Sequence, residues 1–117
     1  MKPILNLTIR RKWLDMIEHG AKREEYRDAR CRQVERLYLR AWRDGLPPGA
    51  ALVLRAGYRM DSPALAVEVV GLMLRGEAPH PEWGEPRRHG AHYVLKLGAV
   101  LARGDYAAVK AWMEARK

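Results

Sequence analysis

Apolar and polar side chains alternate from Ile4 to Ile9, with Ile4, Asn6 and Thr8 set against Leu5, Leu7 and Ile9, which predicts a strand. Trp13, Met16 and Ile17 then recur at helical spacing and Gly20 follows as a stop, so one short helix is expected there. Lys22–Asp28 alternates charge around Tyr26 and reads as a second strand, polar enough to line a surface or cleft. From Arg30 to Arg43 the helical period is strong. Cys31, Val34, Leu37, Tyr38, Ala41 and Trp42 fall on one face and Arg32, Arg36, Arg40 and Arg43 on another, with Leu39 out of place among the arginines. Gly45-Leu46-Pro47-Pro48-Gly49 breaks the chain.

Leu- and Val-rich strands are predicted over Ala51–Ala56 and Ala64–Leu74, joined by Gly57–Pro63. Gly76–Ala91 holds three prolines and Trp83, and reads as a long irregular loop of the kind that often carries function. His92–Leu97 is expected to be the last strand. Asp105–Arg116 is expected to form a helix burying Tyr106, Val109, Trp112 and Met113. About five or six strands with helices between them indicate an α+β fold, with a closed barrel as one form it could take.

The 117 residues suit one domain, its core over about residues 4–98 and its C-terminal helix over about 105–116. A 48% hydrophobic content allows a packed core. The longest uncharged apolar stretch, Val69–Leu74, is far short of a membrane span, and the start of the chain lacks the pattern of a secretory leader. The expectation is a soluble cytoplasmic protein without a membrane partner. The single Cys31 excludes an intramolecular disulfide and a cysteine-built zinc site, and on an apolar helix face it reads as packing. Asn6 and Gln33 are the only side-chain amides, which suits a thermophile, while the excess of Arg over Lys equally suits a GC-rich genome.

A formal charge of +8 makes polyanions plausible partners, because phosphates gain from Lys and Arg contacts through counterion release. Phosphate-binding glycine loops, HExxH and serine-elbow motifs are absent from the sequence. His89 and His92, three apart, are the one histidine pair near ligand spacing and a weak signal, so no metal or cofactor is expected. The segment Gly20–Asp28 sets Lys22, Arg23 and Arg27 among three acids just after a helix stop. A solvated charge ladder is the plain reading; a binding or catalytic cluster is the sharper one. Arg10, Arg11 and Lys12 should flank the first helix N-terminus, where an anion is favoured. Tyr58 and Trp83, both in loops, could stack on a base or merely anchor their loops. Glu68, alone in an apolar strand, faces either outward or into the cleft.

The spacing Gly20-x-Lys22-x-x-Glu25-x-Arg27, after an apolar strand and a Trp-bearing helix, resembles the signature of the ASCH domain, a family of PUA-like β-barrels. Further segments match in order: Leu5-x-Leu7, Lys12–Ile17, Arg36-Leu37, Gly57-Tyr58, Pro81-Glu82-Trp83-Gly84 and Tyr93–Gly98. The likeness is to the small stand-alone bacterial and phage members. It implies a mixed barrel of about five or six strands with flanking helices. It also implies single-stranded RNA or a nucleotide-like ligand in a basic cleft beside Lys22, Glu25 and Arg27, to which Arg10, Lys12, Tyr58 and Trp83 are added here as candidate ligand contacts. Some members hydrolyse N4-acetylcytidine and ribonuclease activity is attributed to others, so an enzyme of modified nucleosides or RNA, using Lys22 and Glu25, is the alternative. Glu25 stands where the amidohydrolase members carry their Thr nucleophile. On a regular strand, positions 22 and 25 would face opposite sides, so a shared site requires a turn after Gly20.

Overall fold

The computed structural model describes residues 3–76, 81–83 and 91–116. Five strands and three helices follow one another along these residues: β1 (Ile4–Thr8), α1 (Arg11–Glu18), β2 (Glu24–Asp28), α2 (Arg32–Asp44), β3 (Ala51–Arg55), β4 (Pro63–Arg75), β5 (His92–Asp105) and α3 (Tyr106–Glu114). A single 3-10 turn, Pro81–Trp83, precedes β5. The rest of the expected loop over 76–91, His89 included, lies outside the described residues apart from Gly76 and Ala91.

The strands form one mixed sheet in the order β1-β3-β4-β5-β2. β1 runs parallel to β3, pairing Ile4 with Ala51 and Thr8 with Arg55; the other three pairings are antiparallel. β3 lies between β1 and β4 and is buried on both faces, hence its unbroken Ala-Leu-Val-Leu run. On one face Leu52, Leu54, Leu65, Val67, Val69 and Leu95 pack with Leu14 and Ile17 of α1 and Val34 of α2. On the other, Val53, Ala64 and Ala66 pack with Tyr106 and Val109 of α3. Helices thus cover both sides of the sheet, and the α+β expectation holds.

The closed barrel is not seen as a continuous ladder, since the sheet ends at β1 and β2. The two ends are nevertheless linked, because the Arg27 guanidinium on β2 donates to the Thr8 carbonyl on β1 at 2.7 Å. A side chain bridges what the backbone leaves open.

Three expectations change in detail. The last strand continues to Asp105, where it had been expected to end at Leu97. Gly98 is a point of close approach rather than a stop, for a Cβ there would collide with the Glu68 carboxylate and Val70. The ladder between β4 and β5 shifts register around Val67–Gly71, absorbing the crowding in a bulged region. Trp42 is 81% exposed although it shares the apolar face of α2. The last turn of that helix overhangs a groove, bounded by Leu46 and Leu72–Arg75, that the core does not fill. In α3, Tyr106 and Val109 are buried, whereas Trp112 and Met113 only flank the core. Asp105 caps this helix, its carboxylate accepting from the Ala108 amide at 2.9 Å.

Candidate functional site

The site begins with the end of α1. Gly20 adopts φ +79, and the amides of Ala21 and Lys22 both donate to the Met16 carbonyl, at 2.9 and 3.0 Å. The chain thereby wraps under the helix and enters β2 only at Glu24, so Lys22 lies ahead of the regular strand. This turn resolves the facing problem posed by the spacing. Lys22 and Glu25 meet, Nζ to Oε1, at 3.1 Å. Space around Gly20 is open, so Gly20→Ala should cost only its left-handed backbone penalty, about 1 kcal/mol, measurable as a lower urea midpoint at unchanged slope.

Glu25 is the hub of a buried ionic chain. Its Oε1 takes the Lys22 ammonium, and its Oε2 accepts both Nη2 and Nε of Arg27, at 2.6 and 3.1 Å. Lys22 and Glu25 side chains are only 1% and 6% exposed, Arg27 19%. The ammonium also donates to the Trp83 carbonyl in the 3-10 turn, which ties that turn to the site. It stands 5.0 Å from the Tyr26 ring and 5.4 Å from the Trp13 ring. Tyr26 is fixed in turn by its hydroxyl, which donates to Glu24 at 2.8 Å, and by an edge contact with the buried His92 ring.

Burial pushes the Lys22 ammonium below its ordinary pKa; the Glu25 charge pulls upward but less strongly. The sign of the pH effect follows. In the window between the lowered folded value and 10.5, the unfolded chain holds more protons than the folded one, so stability rises with pH there. The contribution is complete above 10.5 and is lost as pH falls through the folded value. Lys22→Met removes the effect. The stability difference between wild type and Lys22→Met should therefore shift toward wild type as pH rises through that window and stay flat below it, as followed by denaturant unfolding.

The other expected residues are distributed as follows. Lys12 is exposed on the first turn of α1, its ammonium 4.6 Å from the same Trp13 ring that Lys22 approaches. Arg10, exposed, is the residue that caps α1. Trp83 meets Lys22 through its carbonyl, its side chain half-buried. Tyr58 is 85% exposed on the β3–β4 connection. Glu68 lies on the face of β4 opposite Val67 and Val69 and against Gly98, so it is an outward strand residue and not a second acid of this site.

Two contributors to the site are not marked by sequence reasoning: Trp13, which it uses only for the helical period, and the Thr8 carbonyl. Trp13 is half-buried, and its place directly after Lys12 was the available signal. No sequence pattern marks the Thr8 carbonyl, since it is a backbone group brought to Arg27 by topology. Among the described residues, no cluster of three or more His, Cys, Asp or Glu is arranged to hold a metal ion, and no helix is long and apolar enough to cross a membrane. No family model, curated protein or solved structure matches the chain.

Proposed function

We propose that this protein binds single-stranded RNA, or a nucleotide-like fragment of it, at the Lys22–Glu25–Arg27 cluster, as an ASCH-like member of the PUA-like barrels. The observation that carries the reading is the buried ionic chain itself. Withdrawing such charges from water costs several kcal/mol per ion, and apolar residues would pack the same space more stably. A fold that keeps them beside an edge strand and two tryptophans is keeping polar groups for use.

A ligand would reach the cluster from the side of Arg27, its most exposed member at 19%, and exchange the internal bonds of Lys22 and Glu25 for those of a base edge. Lys22 offers a donor and Glu25 an acceptor side by side, while Arg27 holds the carboxylate in orientation. Lys12 and Arg10, exposed on and before α1, would meet phosphates, and Trp13 and Trp83 give aromatic surface at the rim. The Arg27–Thr8 bridge supports the barrel reading, with closure by a side chain in place of a ladder. The test is titration of a fluorescent ten-nucleotide uridylate RNA. Micromolar affinity at low salt is expected, weakened several-fold by Lys12→Ala; no binding to RNA or DNA at about 50 mM salt would end this reading.

One observation favours an enzyme instead, the burial of Lys22, which lowers its pKa and so moves the amine in the direction a general base requires. With Glu25 in the nucleophile position of the amidohydrolase members, little or no hydrolysis of N4-acetylcytidine is expected. Robust turnover lost in Lys22→Met would transfer the assignment to the enzyme.

A further inference from the structure

β1 is an edge strand, and the parity of its bonds says which backbone groups it leaves open. The Pro3 carbonyl accepts from Ala51, and the Ile9 amide donates to Arg55. Bonding residues alternate in a parallel ladder, so Leu5 and Leu7 also turn their polar groups toward β3. Ile4, Asn6 and Thr8 turn theirs outward. The Thr8 carbonyl is taken by Arg27, in agreement with that parity. The outward groups of Ile4 and Asn6 face no backbone partner among the described residues.

These open groups lie on one wall of a cleft of about 420 Å³. Its other wall is α2, through Gln33, Arg36, Leu37 and Arg40. Arg36 and Arg40 are exposed and have no carboxylate partner among the described residues, unlike Arg11, Arg27, Arg30, Arg43 and Arg59. The spacing of the two walls agrees. Residues four apart on a helix rise about 6 Å, and side chains on one face of an extended chain repeat about every 6.6 Å.

We infer that this cleft is a docking site for an extended acidic peptide, which adds a strand to the edge of β1 at Ile4 and Asn6 and sets carboxylates from alternate residues on Arg36 and Arg40. Main-chain bonds would supply affinity, and the arginines and the apolar floor at Leu37 would select the sequence. A second copy of this chain fits poorly, because it would bring its own arginines to the same cleft. The site shares no side chain with the Lys22 cluster and stands independently of the RNA reading.

The probe is a fluorescein-labelled (Glu-Val)4 peptide titrated onto the full chain, with (Glu-Pro)4 as a control of equal charge that resists strand formation. The expected result is saturable binding that shifts the Ile4 and Asn6 amide resonances and slows their hydrogen exchange. Arg36→Glu with Arg40→Glu, both surface changes whose folding is checked by circular dichroism, should weaken it at least tenfold. Equal binding of (Glu-Pro)4 would overturn the proposal, as would unmoved Ile4 and Asn6 resonances at millimolar (Glu-Val)4. If the ten-nucleotide uridylate RNA moves those resonances at lower concentration than the peptide does, the cleft is a nucleic-acid surface and the peptide proposal fails.

Discussion

Glu25→Ala is expected to destabilise the protein by about 3–5 kcal/mol, a large part of the stability of a domain this size. The loss comes from what the carboxylate leaves behind. Lys22 and Arg27 both point at Glu25, one nearly sealed from water and the other largely so, and their charges would then face each other without the carboxylate that both contact. Lys22 keeps the Trp83 carbonyl and the two rings, which places the expected cost toward the lower end. Charge, rather than volume, is the claim. The double variant Lys22→Met with Glu25→Leu should therefore recover most of the loss, because an apolar pair of similar size avoids the desolvation cost. Urea unfolding of the three proteins decides it: if the double variant is as unstable as Glu25→Ala, the ionic chain is not the source.

Affinity for single-stranded RNA should fall about 20- to 130-fold between 50 and 200 mM salt. That range follows from three to five phosphate contacts and a slope of about 0.7 per contact in log affinity against log salt. Lys12 is exposed and free to lose one such contact, so Lys12→Ala should lower the slope by about 0.7. Binding that is tight but indifferent to salt would mean that the ligand is a nucleoside held at Lys22 and Glu25, without a phosphate track.

Much of this site was legible along the chain, and for a physical reason. Gly20, Lys22, Glu25 and Arg27 are close in sequence, so a single turn assembles them, and glycine is the residue such a turn demands. The strand and helix periods were likewise local, and β1, α1, α2, β3, β4 and α3 fall near their expected limits. What depended on distant partners was not legible. The extension of β5 past Gly98 rests on pairing with β4, the outward turn of Glu68 on packing between those strands, and the exposure of Trp42 on a groove beside the end of β4 that the core does not fill. The link from Arg27 to Thr8 is of the same kind, a consequence of sheet order that no local pattern encodes.

The order of the strands also sets a timetable for folding. β1 can pair only when Ala51–Arg55 has been made, and β2, the strand that bears Glu25 and Arg27, waits for His92–Lys96. β3 and β4 are joined by a short connection and can pair early, while β4 with β5, across residues 76–91, and the contacts of still longer sequence separation are slower to close. As the chain is synthesised from its N-terminus, the charged segment after Gly20 therefore emerges early and stays without a sheet partner through most of elongation. Its hydrophilic composition keeps it in water during that wait, and the Lys22–Glu25–Arg27 cluster is sealed among the last parts of the molecule.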